Sequence, residues 1–156
     1  MLIAITGTPA TGKTTIAKEL AKALNWKQIS LNDLAREKNF YLGYDEKRKA
    51  KIVDIESIKK EIEKIMKKQK NLIIESHYAH EIPVDLVIVL RTDLKELEKR
   101  MLKKGWWKEK IQENLQAEIF GICKEEALKT NKNVFEIDTT GKKPKEVIKE
   151  ILERIK

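Results

Sequence analysis

The residues with the clearest chemical signature form one short segment near the start of the chain, Gly7–Thr14, which reads Gly-Thr-Pro-Ala-Thr-Gly-Lys-Thr. Glycines at its first and sixth positions allow the backbone to curl with its N–H groups turned inward, an arrangement that binds phosphate. Lys13 stands where an ammonium group reaches the β- and γ-phosphates of a nucleoside triphosphate, and the Thr14 hydroxyl can ligate Mg²⁺. The spacing therefore predicts that Gly7, Gly12, Lys13 and Thr14 hold ATP together with magnesium.

Two further residues belong to this predicted phosphate loop. Thr15 is placed to contact the α-phosphate from the first turn of the helix that follows. Ala10 occupies a position where a third glycine is common. We expect its only effect to be that alanine allows fewer backbone conformations there than glycine would. The alternative is that this segment is only a glycine-rich turn whose lysine binds no phosphate.

A magnesium-dependent phosphate site also needs a carboxylate at the end of another strand, and Glu75 is the best candidate because it ends the run Leu-Ile-Ile-Glu. Asp93 competes for this role, but its place before a helical pattern favours a helix cap. His77 could orient a water or stabilise a phosphoryl oxygen, the alternative being a structural or exposed histidine. We expect His80 to be structural.

Arginine is scarce in this lysine-rich chain, which suggests that the retained arginines recognise oxyanions through bidentate contacts of their planar guanidinium groups. Arg36, shortly after Asp33, suits the phosphate of an acceptor nucleotide, and Arg91 ends a strand at the ligand edge. Arg100 precedes Lys104 and the segment 105–108, Gly-Trp-Trp-Lys, which reads as a short flap that could close over ATP. The alternative for each arginine is a surface ion pair.

Apolar runs alternate with helical patterns, which predicts an α/β fold of three layers: a parallel sheet with helices on both faces. We expect five buried strands, at 2–5, 28–30, 71–75, 84–90 and 134–137. Helices are expected at 14–24, from Asn32 or Asp33 to Lys38, after Asp54, from Asp93 to Gly105, over 107–128 and from Pro144, with a loop at 40–44. Ligands of such sheets bind where the strands end.

Length and composition limit the function classes. A chain of 156 residues is enough for one domain, and the net charge of +8 suits nucleotides or RNA unless it is only a solvated surface. The single cysteine, Cys123, excludes an internal disulfide and is expected to be a buried core thiol, while the histidines lack the spacing of a zinc site. No stretch reaches the length of a membrane span and the phosphate loop follows the first strand at once, which predicts a cytoplasmic protein.

Taken together, these motifs resemble the adenylate kinase superfamily of P-loop proteins, and more narrowly its isoenzyme six family. The resemblance covers nearly the whole chain. It is carried by the phosphate loop and by five further segments: Asn-Asp-Leu-Ala-Arg-Glu at 32–37, Gly-Tyr-Asp-Glu at 43–46, Glu-Ser-His at 75–77, Val-Leu-Arg-Thr-Asp at 89–93 and Ile-Asp-Thr-Thr-Gly-Lys at 137–142.

The resemblance implies a P-loop NTPase fold with a monophosphate-binding flap at about 30–53 and a lid at about 103–113. Ala10, Gly12, Lys13, Thr14, Thr15 and Lys104 would then bind ATP, and the loop 140–143 would lie near the adenine. Arg36 would hold the AMP phosphate, with Asp33 and Arg91 on the same acceptor side. Lys13, Glu75, His77 and Arg100 would form the catalytic set, and Thr14 and Glu75 the Mg²⁺ site. Glu75 stands where relatives often carry Asp, and Lys104 where Arg is common.

The activity implied by this resemblance is transfer of the γ-phosphate of ATP to AMP or another nucleoside monophosphate, together with ATPase activity. The resemblance also implies a role in late 16S/18S rRNA maturation of the small ribosomal subunit, with small-subunit ribosomal protein eleven and pre-ribosomal RNA as partners. The alternative is an assembly ATPase for that subunit with weak kinase activity, in which water is the acceptor.

Overall fold

The computed structural model describes residues 1–155. A sheet of five parallel strands, in the order β2-β5-β1-β6-β7, forms its centre, and a two-stranded antiparallel hairpin, β3-β4, stands apart from it. The strands are β1 (Leu2–Gly7), β2 (Lys27–Ser30), β3 (Tyr41–Asp45), β4 (Ala50–Val53), β5 (Leu72–Glu75), β6 (Leu86–Arg91) and β7 (Val134–Asp138). The helices are α1 (Lys13–Leu24), α2 (Leu31–Lys38), α3 (Ile55–Met66), α4 (Leu94–Lys103), α5 (Lys108–Ile119), α6 (Ile122–Thr130) and α7 (Pro144–Arg154), with a short 3₁₀ turn at Ala79–Glu81.

The central strands are apolar on both faces because helices cover both sides of the sheet. Alternate residues of β1 enter different cores: Ile3 and Ile5 pack with α1 and α7, whereas Ala4 packs with α2 and α3. This arrangement confirms the predicted three-layer α/β architecture with five parallel strands. In the register of the sheet, Ile5 lies beside Glu75 and Gly7 beside Leu90, so the phosphate loop and Glu75 emerge at the same edge.

Helix starts follow local capping chemistry, with one correction. Asp54 and Asp93 cap α3 and α4 as predicted, each accepting a backbone N–H three residues ahead. The predicted cap of α2 at Asn32 or Asp33 is wrong, because Ser30 is the N-cap and its hydroxyl accepts the Asp33 N–H. Serine is an equally good cap, and its place as the last residue of β2 starts the helix earlier than the sequence pattern indicated.

Two further predictions of local structure are wrong. The segment 40–44, expected to be a loop, is the first strand of the β3–β4 hairpin, whose turn is stabilised by the Asp45 carboxylate accepting the N–H groups of Lys47 and Arg48. The expected single helix over 107–128 is two helices, because Gly121 adopts a left-handed conformation (φ +61°) that ends α5 and starts α6. Cys123, next to that break, is half-buried rather than fully buried.

Among residues 1–155, no helix has both the length and the apolarity that crossing a bilayer requires.

Candidate functional site

The phosphate loop turns tightly between β1 and α1, and positive φ angles shape it. Gly7 has φ +148°, and a Cβ there would lie 2.7 Å from the Leu90 carbonyl oxygen and 2.9 Å from Thr11 Oγ1. Ala10 and Gly12 have φ +76° and +91°. The left-handed conformation of Ala10 explains why a third glycine suits this slot. The glycines are therefore required by the loop geometry, which the motif predicted.

Lys13 is the first residue of α1 and its side chain is buried against the loop. Its ammonium group donates to the Thr8 carbonyl at 3.1 Å, a bond that a bound phosphate can replace. Burial lowers the pKa of Lys13 to about 8, and the charge of Glu75 partly opposes this shift. Lys13 therefore stays mostly protonated at pH 7 and presents a poorly solvated positive charge, which strengthens its attraction for phosphate.

Thr14, in the first turn of α1, contacts Glu75 at the end of β5. The Thr14 hydroxyl donates to Glu75 Oε1 at 3.2 Å, and Glu75 is buried at the end of β5. A hydroxyl and a carboxylate are hard oxygen donors of the kind Mg²⁺ prefers, and nucleotide phosphates and water complete its usual shell. Among the described residues no group of three or more His, Cys, Asp or Glu side chains forms a cluster able to hold a metal alone. The residues thus fit a metal that arrives with a nucleotide.

The two histidines after β5 occupy different environments. His77 is exposed and packs edge-on against the Tyr78 ring, with centroids 5.0 Å apart. Desolvation by neighbouring protein atoms and then the charge of Lys13 lower the pKa of His77 to about 4, so its imidazole is neutral at pH 7. His80 is buried between Thr6 of β1 and Glu126 of α6, at 2.7 and 3.0 Å, and joins those elements.

A cleft of about 250 Å³ opens beside the phosphate loop on the α7 side, lined by Thr11, Gly12, Thr15, Ile16, Arg100, Thr139, Lys142, Pro144 and Val147. The Arg100 guanidinium donates to the Ala10 carbonyl at 3.0 Å and to Glu96 at 2.6 Å. Arg100, Thr15 and the loop after β7 therefore converge on one space next to the phosphate loop. A nucleotide whose phosphates occupy the loop would place its sugar or base here.

The predicted acceptor residues lie in two different environments. Arg36 donates to Asp33 at 2.7 Å on α2, and their side chains remain 69% and 56% exposed. Arg91, at the end of β6, is instead engaged within the protein. It pairs with Glu118 and Glu136 and donates to the Glu118 carbonyl. The structure thus leaves Arg36 open to a ligand and holds Arg91 in a network.

The predicted lid carries a cluster of aromatic rings and lysines. Lys104 lies 5.6 Å from the ring centroid of Trp106, and Lys110 lies 3.9 Å from Trp106 and 5.2 Å from Trp107. Burial lowers the pKa of Lys110, and the nearby charge of Lys104 lowers it further. Sequence reasoning did not single out Lys110, although the predicted lid at 103–113 includes it.

The tip of the β3–β4 hairpin reaches the same helix. Arg48 pairs with Glu113 of α5 at 2.8 Å, and the Lys49 ammonium group lies 5.4 Å from the Trp107 ring centroid. The hairpin lies within the predicted flap at 30–53, and these contacts bridge it to the predicted lid. No motif in the sequence indicated this pairing.

A larger groove, of about 540 Å³, lies at the opposite edge of the sheet, where the strands begin. Two of its polar side chains are occupied by bonds within the protein: Asp85 accepts the Leu2 N–H, and Asn131 binds the backbone of Val84, His80 and Ile82. The size of this groove does not make it the site, because the chemically active residues converge at the other edge.

Comparison with known proteins agrees with this geometry. The sequence profile of a family described as an AAA domain matches residues 3–121. A protein of Pyrococcus furiosus described as "putative adenylate kinase" is 44% identical over 156 residues, which cover 99% of this chain and 84% of that protein. A protein of Methanocaldococcus jannaschii with the same description is 38% identical, over 100% of this chain and 86% of its own.

Solved structures share the fold at low sequence identity. Deoxyadenosine kinase from M. mycoides aligns with a TM-score of 0.62 and 18% identity, over 99% of this chain and 98% of that one. Shikimate kinase from Bacteroides thetaiotaomicron aligns with a TM-score of 0.63 and 14% identity, with the same two coverages. With these relatives, and with a phosphate loop, a buried Lys13 and a Thr14–Glu75 pair at one sheet edge, the chain belongs to a P-loop, nucleoside monophosphate kinase-like family.

Proposed function

We propose that the protein is a nucleoside monophosphate kinase that transfers the γ-phosphoryl group of ATP to an acceptor nucleotide, with AMP as the leading candidate. One observation carries the proposal: the β3–β4 hairpin and the lid helix α5 touch each other through Arg48 and Glu113, at 2.8 Å. A cleft enclosed from two sides suits the transfer of phosphate to a bound acceptor, because it excludes the water that would otherwise hydrolyse ATP.

In the proposed mechanism the donor phosphates occupy the loop around Gly7–Thr14. The Lys13 ammonium group leaves the Thr8 carbonyl and follows the β- and γ-phosphates through in-line transfer. Thr14 and Glu75 would hold a Mg²⁺ ion that enters with ATP and neutralises phosphate charge. Because phosphoryl transfer depends mainly on positioning and charge, no covalent enzyme intermediate is required.

Cations from the lid would complete the donor site. Lys104 lies close enough to Lys110 for its charge to contribute to the lowered pKa of Lys110. Anionic phosphate between them would relieve this repulsion and favour lid closure. Arg100, bonded to the Ala10 carbonyl, would then contact the donor nucleotide from the α4 side.

The acceptor would bind between α2 and the hairpin. Arg36 is the proposed anchor of its phosphate, because its guanidinium is exposed and its one partner, Asp33, is exposed as well. Asp33 would orient the Arg36 fork. For Arg91, the predicted acceptor contact would require the guanidinium to release a carboxylate partner.

ATP hydrolysis is the second candidate activity, and the position of His77 favours it. This residue follows the Glu75 strand end, is exposed, and carries a neutral imidazole that can accept a proton or orient a water. The role in small-subunit maturation, with its ribosomal protein and RNA partners, stays a prediction from the resemblance. The net charge of +8 is compatible with that role.

Product analysis tests the proposal. The protein is incubated with MgATP and each nucleoside monophosphate in turn, and the nucleotides are separated and quantified. A kinase acting on AMP forms two ADP for each AMP consumed, whereas an ATPase releases phosphate without an acceptor. Lys13→Ala serves as the control that reveals a contaminating enzyme. Two results together would contradict the kinase assignment. Phosphate would be released at the same rate with and without a nucleoside monophosphate, and no nucleoside monophosphate would be converted to its diphosphate.

A further inference from the structure

Helix α5 begins in the predicted lid and ends with a buried carboxylate, that of Glu118. This residue is only 4% exposed, unlike Glu109 and Glu113 on the same helix, which are exposed. A carboxyl group at such a position is costly to bury unless several donors satisfy it. Its partners therefore indicate what the buried charge does.

The carboxylate of Glu118 binds three elements at once. Oε1 accepts the Thr8 hydroxyl of the phosphate loop at 3.2 Å, and Oε2 accepts the Thr92 N–H just after β6 at 2.9 Å. Oε1 also lies 3.0 Å from Nε of Arg91, the last residue of β6. One side chain thus joins the phosphate loop, the lid helix and the strand next to β1.

Each of these contacts leads further into the nucleotide site. The carbonyl of Thr8, whose hydroxyl Glu118 holds, accepts both the Lys13 ammonium group at 3.1 Å and the Thr11 hydroxyl at 2.8 Å. On the other branch, the Thr92 hydroxyl pairs with Thr139 at 2.8 Å, and Thr139 lines the cleft beside Arg100. Glu118 therefore lies between the phosphate loop and the cleft that receives the rest of the nucleotide.

The local backbone fixes Glu118 in this position. Arg91 Nη2 donates to the Glu118 carbonyl, so the same guanidinium contacts both the side chain and the backbone of this residue. A Cβ at Gly121 would lie 3.3 Å from Arg91 Nη1, which makes glycine the residue that leaves room for the guanidinium. The break between α5 and α6 thus lets Arg91 hold the end of the lid helix.

We propose that Glu118 is a positioning residue of the donor site. It fixes the position of the phosphate loop relative to the cleft lined by Thr139 and Arg100, and it links both to helix α5. The proposal rests on the proposed function only in taking ATP as the donor nucleotide. Charge-assisted hydrogen bonds in a water-poor setting are strong, and a donor left without its acceptor loosens the segment that carries it. Loss of Glu118 should therefore weaken ATP binding and leave the proposed acceptor contact at Arg36, on α2, unaffected.

The test measures the dissociation constants of MgATP and of AMP by calorimetry, which needs no turnover. Glu118→Met keeps the side-chain length without an acceptor and should weaken MgATP binding about tenfold while AMP binding changes less than about twofold. Glu118→Gln should weaken MgATP less than Glu118→Met, because its amide can still accept the Thr92 N–H and donate to the Thr8 hydroxyl, although it loses the charge that pairs with Arg91. The matched control is Glu125→Gln, an exposed glutamate of α6, which should bind both ligands like the wild type.

A second variant keeps the test decisive if Glu118→Met does not fold. Thr8→Val removes the hydroxyl donor but leaves the Glu118–Arg91 pair, and it should weaken MgATP binding about fivefold. Folded variants that bind MgATP within twofold of the wild type, or that lose MgATP and AMP affinity equally, overturn the proposal. The midpoint of thermal unfolding is measured for each variant, because it shows whether weaker ATP binding comes from a lower free energy of unfolding or from a specific loss of affinity for ATP. A wild type that binds MgATP but not AMP refutes AMP as the acceptor and leaves the MgATP comparison to decide on Glu118.

Discussion

The two sides of the cleft are built differently. On the proposed donor side, the phosphate loop is closed by buried bonds, such as those from Lys13 and Thr11 to the Thr8 carbonyl. On the proposed acceptor side, the hairpin exposes Leu42 and Tyr44 by 71% and 52%, and the Arg36 side chain is 69% exposed. The proposed donor site is thus held by buried bonds within the protein, whereas the proposed acceptor side has few buried contacts.

This contrast predicts that changes on the donor side impair every reaction of ATP, while changes on the acceptor side impair transfer alone. Four measurements test it, starting with the largest expected effect.

Lys13→Ala should lower kcat/KM for both transfer and hydrolysis on the order of a thousandfold, because it removes the buried cation that we propose to contact the phosphates. Steady-state assays with and without AMP measure both rates. Lys18→Ala, an exposed lysine of the same helix, is the control and should change neither rate. Turnover retained by Lys13→Ala would refute the assignment of the site.

The pH profile of kcat/KM for ATP should fall above pH 8. Since the folded free enzyme holds the pKa of Lys13 at about 8, the protonated form that binds phosphate is lost as the pH rises through that value. At pH 9 the rate constant should be about tenfold lower than its plateau. A profile that stays flat to pH 10 would show that Lys13 is solvated in the free enzyme.

His77→Ala should slow ATP hydrolysis about fivefold and phosphoryl transfer less, because only hydrolysis requires a water to be oriented. With the pKa of His77 lowered to about 4, the wild-type hydrolysis rate should not vary between pH 6 and 7.5 through this residue. Parallel assays with and without AMP give the ratio of the two losses. Equal losses in both assays would remove any special role for His77.

Arg48→Gln should raise the KM of the acceptor about threefold without changing the affinity for MgATP. The Arg48–Glu113 pair joins the hairpin to α5 but is more than half exposed on both sides, so its contribution is small. Lys149→Gln, an exposed change on α7, is the control for charge. A larger effect on MgATP than on the acceptor would show that the hairpin belongs to the donor side.

The same contrast explains what the sequence could predict. The donor loop was predictable because its requirements are local: Gly7, Gly12 and Lys13 are close in the chain and their types follow from the turn they form. The five strands were predictable for a similar reason, since burial on both faces leaves continuous apolar runs. The predicted Thr14–Glu75 pairing needed only the rule that parallel strands end at one edge.

The features that sequence reasoning missed depend on contacts between distant segments. Glu118 looks like any glutamate of a polar helix until Thr8 and Thr92 are brought beside it by the sheet. The helix break at Gly121 is hidden in a continuous helical pattern and is accommodated by Arg91, thirty positions earlier in the chain. The hairpin was read as a loop because its strands are short and mostly exposed.

The lid cluster gives the protein an optical signal of its own. The protein has three tryptophans. Trp106 and Trp107 lie beside Lys110 in the predicted lid, whereas Trp26 packs on the core next to α1. An ammonium group held close to an indole ring alters its emission, so any motion that separates the two changes the fluorescence of the lid alone. With Trp26 as a background, stopped-flow fluorescence of the unlabelled wild-type protein would show whether nucleotide binding moves the predicted lid.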